Sequence, residues 1–358
     1  MLSAAKYHSG GSLTVRVSFG IGNRLAALLS ALVLSEHFQV PLQIVWPPGE
    51  EDCAGAFDSL FERESFGDIE IIDEADGPWV DAKGISSAAL KEAFSNGEAV
   101  RIRAYTLFGI DLLEGYKFFE RFRAHLRAVR LSPQVTRKFP TDRPSKIGMH
   151  LRFTDHFPCT VFSPRWSYLV TARELVQLFP QERIFVCADS PHFAKEIGAI
   201  LGQNAVLSRT LDSPKERIRS SLAGTQAALA DLWSLANCRV IVSSPHSSFA
   251  MIALTLGGGL HCPVAIKTET IRHRQARYAW ALFFRLSYDA ATDAWSVLNK
   301  PTEHCSAKFS DKLLGRFALQ FTRPWYQDHP PKFLQKRLER RLHKLLLSPS
   351  CQNAMANP

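Results

Sequence analysis

The feature that most restricts the fold is a set of short apolar runs set apart by helix-length segments. Arg183-Ile184-Phe185-Val186-Cys187-Ala188 and Cys238-Arg239-Val240-Ile241-Val242-Ser243 are apolar almost throughout and too short for buried helices. Helical apolar spacing follows each, over 192–201 and 247–256. A strand apolar on both faces belongs inside a parallel sheet covered by helices on both sides. The chain opens with the same alternation. Leu13-Thr14-Val15-Arg16-Val17 reads as a strand, 18–25 as a glycine turn, 25–36 as a helix and 42–46 as a second strand. That is a βαβ unit, so an α/β fold with parallel sheets is expected.

At 358 residues the chain exceeds the ~250–300 at which a single core stops growing, so more than one domain is expected. Between 50 and 143 the pattern is weaker. It gives strands at 69–72 and 100–104, a helix at 85–94, and an amphipathic helix at 112–129. Pro133, Pro140 and Pro144 mark a boundary, placing an N-terminal domain at 1–143 and a second at 144–300. In the second domain the pattern adds helices at 171–178 and 215–236, a short strand at 206–208 and a last core strand at 264–266. A C-terminal extension, 301–358, contains Lys332 to Leu347. There Leu334, Leu338, Leu342 and Leu345 share one face, and Lys336, Arg337, Arg340, Arg341 and Lys344 cover much of the rest. A basic amphipathic helix of this kind either lies on an anionic membrane surface or packs its apolar face on the protein.

A net charge of +9 points to anionic partners, but no nucleic-acid-binding motif accompanies it, and nucleic acid is not expected as a partner. The seven cysteines are scattered, without C-x-x-C spacing, and Cys187, Cys238 and Cys262 lie in or beside apolar runs as expected for buried thiols. That argues for a reducing compartment and against structural zinc. The N-terminus lacks a signal-peptide pattern, and no uncharged apolar stretch reaches ~18 residues. A cytoplasmic protein is expected, with peripheral contact at the inner membrane face if the C-terminal helix binds lipid.

Four stretches carry candidate chemistry. In Gly148-Met149-His150-Leu151-Arg152-Phe153-Thr154-Asp155 an apolar strand delivers an imidazole, a guanidinium, a hydroxyl and a carboxylate to its C-terminal end. In open α/β sheets that end binds ligands, and arginine's fork matches a pair of phosphate oxygens. Solvated or mutually paired charges would leave the same pattern. Asp189, ending a strand, either N-caps the next helix or faces a ligand. Asp231 sits near a helix C-terminus, where an acid opposes the dipole and has to be paired or functional. Ser244-Pro245-His246-Ser247-Ser248-Phe249 opens a helix directly after a strand, an arrangement that serves as a simple cap or as an anion site. The turn Gly20-x-Gly22-Asn23-Arg24 permits close backbone approach to a ligand, or is a plain tight turn.

Taken together, Gly20-x-Gly22-Asn23-Arg24-Leu25, His150-Leu151-Arg152-x-x-Asp155 and Asp231-Leu232-x-x-Leu235-x-x-Cys238 with Ser247-Ser248-Phe249 resemble the fucosyltransferase superfamily of α1,6-, nodulation and protein O-fucosyltransferases. The resemblance spans roughly 13–266 and is faint over 50–140. It implies a GT-B-like fold of two Rossmann-like domains facing a cleft, the first contributing most of the acceptor side and the second holding the nucleotide-sugar donor. The activity it implies is metal-independent, inverting transfer from a GDP-sugar, with GDP-fucose the expected donor, to a glycan, lipid-linked or other glycoconjugate acceptor. No metal cofactor is implied. His150 would lie at the guanine end and Arg152 on the β-phosphate. Asp231 would read the guanine N1–H and amino group. Ser247, Ser248 and Phe249 would meet the phosphates and ribose, and Gly22, Asn23 and Arg24 would approach the donor from the glycine turn. Asp155 would orient Arg152 or cap a turn. Relatives often carry two arginines, as H-x-R-R-x-D, whereas Phe153 holds the second position here. A transferase using another nucleotide sugar, or a non-catalytic nucleotide- or glycan-binding relative, would share most of these features.

Overall fold

A computed structural model of the chain describes residues 11–50, 52–110, 113, 115–139, 145–153, 163–208, 220–244, 247–264 and 332–356. The chain divides into two compact units. One comprises Met1–Ser145, Leu207–Arg239 and Ser248–Gly259, the other Lys146–Val206, Val240–Ser247 and Leu260–Pro358. Two helices that follow the second sheet's strands in sequence therefore pack with the first unit.

The first sheet is built from β1 (Ser12–Val17), β2 (Leu42–Val45), β5 (Glu70–Ile72), β6 (Val80–Asp81) and β7 (Ala99–Ala104), in the spatial order β5-β2-β1-β7-β6. Every pairing is parallel. β3 (Gly49–Glu50) and β4 (Cys53–Ala54) form a small antiparallel hairpin beside it. After β1 the chain steps outward through β2 and β5, then returns to the other side of β1. The strand order thus reverses between β1 and β7.

Helix α1 (Ile21–Phe38) follows β1 and is buried almost all round, from Ile21 to Ser35 with Asn23 the exception. A helix without a polar face has to be covered on every side. β1 and β2 cover one side, and α3 (Gly115–Ala128) and α8 (Ser248–Gly257) the others. The unit is completed by α2 (Ser87–Ser95), α4 (Pro133–Thr136) and α7 (Leu222–Ala236), α7 packing on α8. The close fit is visible at Gly22, where an added Cβ would lie 2.9 Å from the backbone nitrogen of Phe249 at the start of α8. Gly257, ending α8, is likewise pressed against the Ala236 carbonyl of α7.

The second sheet contains β8 (Ile147–Leu151), β9 (Ile184–Ala188), β10 (Ala205–Leu207), β11 (Val240–Ser243) and β12 (Leu260–Pro263), ordered β10-β9-β8-β11-β12. β8 pairs in parallel with β9 and β11, and β11 with β12. Its order reverses between β8 and β11. β8 is buried at all five positions, as a central strand covered on both faces requires. α6 (Pro191–Leu201) packs on β9, and α5 (Arg165–Leu178) packs on α6. The last described strand lies at 260–263; of the strand expected at 264–266, residues 265 and 266 lie outside the described residues. The three glycines 257–259 end the helix immediately before it, and Pro263 is tolerated because β12 is an edge strand.

The C-terminal segment forms α9 (Lys332–Leu346) and α10 (Pro349–Ala356). Leu338, Leu342 and Leu346 are buried, α9 packs on α5, and Lys146 Nζ donates to the Met355 carbonyl at 2.7 Å. His343 of α9 pairs with Glu174 of α5. The apolar face of the amphipathic helix is thus occupied by its own unit. Lys336, Arg337, Arg340 and Lys344 are exposed on the opposite face.

Candidate functional site

In the second unit the expected residues gather where the strand order reverses. His150 of β8 and Ser243 of β11 are register partners, and His150, 5% exposed, shares a hydrogen bond with Ser247 (Nδ1 to Oγ, 3.2 Å). One residue past β8, Arg152 points its Nε toward Asp189 Oδ2 at 3.7 Å. Asp189 follows β9, the strand paired with β8, and its carboxylate accepts from the Phe153 amide at 2.8 and 3.0 Å. Arg152 has a quarter of its side chain exposed and Asp189 only 5%. Asp189 therefore fixes both the backbone and the side chain leaving the central strand.

This assigns Asp189 a role other than N-cap. The α6 cap is Ser190, whose side chain accepts from the Phe193 amide at 3.4 Å. Asp155 lies outside the described residues; the carboxylate seen beside Arg152 is Asp189. Phe153 turns its ring onto Phe193 of α6, centroids 5.0 Å apart, so this position supports packing.

Two further serines complete this end of β11. Ser243 Oγ lies 3.0 Å from His261 Nε2, and burial pulls the His261 pKa below its ordinary value, partly offset by a hydrogen bond with the Ser243 backbone. Ser244, 1% exposed, has a hydroxyl with no hydrogen-bond partner among the described residues. A buried orphan hydroxyl is unusual and suits a site that receives a ligand. The sequence placed Ser244 at the right strand end, but nothing in it distinguished this hydroxyl from its neighbours.

The first unit holds the other expected residues. Asn23 is half-buried on the first turn of α1. Arg24 is fully buried, its Nε donating to the Phe19 carbonyl at 3.0 Å and its Nη1 to the Pro47 carbonyl at 2.8 Å, with the guanidinium carbon 4.9 Å from the Trp46 ring centroid. Its donors hold the glycine turn and the exit of β2. Gly22 is required by the close approach of α8. Ser248 and Phe249 are half-buried and open α8. Asp231, on α7, accepts from the buried Ser208 hydroxyl at 2.5 Å, which provides the partner that its position against the helix dipole called for.

No protein-family model matches the chain, and no curated protein does either. Solved structures do match. They include the fucosyltransferase NodZ from Bradyrhizobium, 19% identical with a TM-score of 0.47, the match covering 68% of this chain and 92% of that one. FUT1 of Arabidopsis thaliana, a variant in complex with GDP, is 15% identical with a TM-score of 0.45 and coverages of 70% and 69%. POFUT1 in complex with GDP is 14% identical with a TM-score of 0.42 and coverages of 71% and 98%. These neighbours are fucosyltransferases. At these identities and TM-scores the roles of individual residues rest on the geometry above.

Among the described residues no group of three His, Cys, Asp or Glu side chains could hold a metal ion. Nor is any described helix long and apolar enough to cross a membrane. Cys53, Cys187, Cys238, Cys262 and Cys351 are buried, and burial pushes the Cys238 and Cys262 thiols up to about 12.

Proposed function

We propose that the chain is an inverting glycosyltransferase that takes a sugar from a GDP-sugar, with GDP-fucose the favoured donor, and passes it to a glycan or glycoconjugate. The observation that carries this reading is the reversal point of the second sheet. There Arg152, held by Asp189, stands beside the His150–Ser247 pair and the unpartnered Ser244 hydroxyl. In open parallel sheets this is where nucleotides bind.

The chemistry suits those groups. As the glycosidic bond breaks, negative charge grows on the departing diphosphate, and preorganised donors stabilise it without further reorganisation. Arg152 supplies a fixed positive charge, and Ser244 and Ser247 supply hydroxyls, so the reading calls on no metal. Asp231 is assigned to guanine because a carboxylate matches the adjacent N1–H and amino donors. Gly22, Asn23, Arg24, Ser248 and Phe249 keep the donor-side roles that the motif resemblance gives them, Gly22 and Arg24 by shaping the turn. The buried thiols support a reducing, cytoplasmic setting. Any contact of α9 with an anionic membrane would rest on its basic face, Leu338, Leu342 and Leu346 being buried.

One observation favours a second reading. With Phe153 packed on Phe193, no second arginine follows Arg152, and a donor with a different sugar on the same nucleotide would suit the site as well.

Calorimetric titration with GDP, UDP and ADP in EDTA tests the proposal. Selective GDP binding is expected, abolished in Asp231→Ala. Arg152→Ala is expected to lose transfer by orders of magnitude while staying folded. Preference for UDP or ADP, or full turnover by Arg152→Ala, would overturn the corresponding assignment.

A further inference from the structure

The first sheet reverses its order between β1 and β7, and the residues just beyond those two strands are aromatic. Phe19 follows β1 and Tyr105 follows β7; the two exits are joined by a hydrogen bond from the Ser18 amide to the Ala104 carbonyl, 3.1 Å. The rings meet edge to face, centroids 5.3 Å apart at 77°.

Phe19 is unusual twice over. Its φ of +65° lies in the left-handed region, where a bulky L-residue is strained by ~1–2 kcal/mol and a tight turn normally uses glycine or asparagine. It also leaves 47% of its surface in water, although a buried cluster of Trp46, Phe57, Phe61 and Phe66 lies in the same unit. The strain is maintained by Arg24, which is buried and grips the Phe19 carbonyl. Strain persists where the surrounding structure enforces it, and such positions concentrate at ligand sites.

Polar groups border the pair. β6 brings Asp81, exposed, to within 3.4 and 3.5 Å of the Tyr105 hydroxyl, and Lys83 Nζ stands 5.0 Å from the Tyr105 ring centroid. The exposed Phe19 ring thus stands against a half-buried Tyr105, whose hydroxyl faces a carboxylate and whose ring face lies under an ammonium, at a sheet's ligand end.

We propose that Phe19 and Tyr105 form a saccharide-binding platform, which on the transferase reading above is the acceptor subsite. A pyranose with equatorial substituents has flat faces of axial C–H groups, which favour the electron-rich face of an aromatic ring. Its equatorial hydroxyls then reach the rim, where Asp81 accepts and Lys83 donates. A nucleobase also stacks on a single ring, so GMP and AMP serve as the competing ligands in the test.

Saturation-transfer NMR and calorimetry with cellotetraose, chitotetraose and mannotetraose test this, with GMP and AMP as stacking controls. At least one tetrasaccharide should bind the wild-type protein, with saturation strongest at axial C–H protons. Phe19→Gly, which relieves the strain and keeps the turn, and Tyr105→Ala should each weaken that binding roughly tenfold and leave GDP affinity unchanged. The proposal fails if none of the three binds at millimolar concentration, if both variants bind like wild type, or if the variants lose GMP or AMP binding instead. Parallel GDP titration separates the two readings. Saccharide binding without GDP binding retains the platform and overturns the donor assignment, and GDP binding without saccharide binding does the reverse.

Discussion

Arg24→Met should destabilise the protein by about 3 kcal/mol. The guanidinium donates to two backbone carbonyls, Phe19 at 3.0 Å and Pro47 at 2.8 Å, and stacks 4.9 Å from the Trp46 centroid. Hydrogen bonds from a charged donor contribute ~1.5–3 kcal/mol each, and a desolvated cation–π contact about 2 kcal/mol. Against this, methionine refills most of the volume and removes the desolvation penalty of a buried charge. The carbonyls cannot be removed with their partner. Left without a donor they are penalised by ~1–3 kcal/mol apiece, and this asymmetry decides the sign. In a unit of this size the melting temperature should fall by roughly 6–12 °C. Lysine should rescue little, since a point charge cannot reproduce a planar fork across two acceptors. Urea unfolding followed by far-UV circular dichroism measures the effect, and a loss below about 1 kcal/mol would refute the argument. A double-mutant cycle sharpens it. If Arg24 holds Phe19 in a strained conformation, Arg24→Met should be milder in a Phe19→Gly background, and strict additivity would show that the two do not act together.

Two other changes probe the packing and the buried histidine. Gly22→Ala places a Cβ 2.9 Å from the Phe249 nitrogen and 3.0 Å from its Cα, backbone atoms that cannot rotate aside. Overpacking of ~1–3 kcal/mol outweighs the ~1 kcal/mol gained in helix propensity, so the urea midpoint should fall; an unchanged midpoint would mean that α1 and α8 separate easily. For His261, burial lowers the folded-state pKa from 6.5, the Ser243 hydrogen bond opposes this, and the nearby Arg341 charge adds to the lowering. The unfolded chain then binds more protons just below pH 6.5, so stability should fall as pH drops from 6.5 toward the folded pKa. His261→Gln should flatten that part of the curve, and an identical slope in the variant would assign it to other groups.

The strands were legible in the sequence because central parallel strands are apolar on both faces. β1, β7, β9 and β11 fall within two residues of expectation. Helix starts were less legible. α5 begins at Arg165 instead of 171, since its first turns bury Trp166, Tyr168 and Val170 among serines without a simple apolar spacing. α7 begins at Leu222, capped by Ser221, while residues 215–219 of the helix expected from 215 lie outside the described residues. That α7 and α8 pack with the first unit could not be read at all, because apolar spacing reports that a face is covered and not by what.

The candidate sites show the same limit at single residues. Chemistry at strand ends was readable, since Arg152 and His150 are conspicuous after an apolar run. The residues that hold those ends were not. Asp189 resembled a helix cap, and Arg24 resembled a ligand contact on a glycine turn. In both units a charged side chain from a neighbouring element grips the backbone just past a central strand: Asp189 at the Phe153 amide, Arg24 at the Phe19 carbonyl. Such a grip satisfies a backbone group that leaves the ladder at the point where the order of strands reverses, and it fixes the next side chain in place. Substituting either residue should therefore act through position, and its effect on binding should follow the geometry of Arg152 or Phe19 more closely than any charge presented to a ligand.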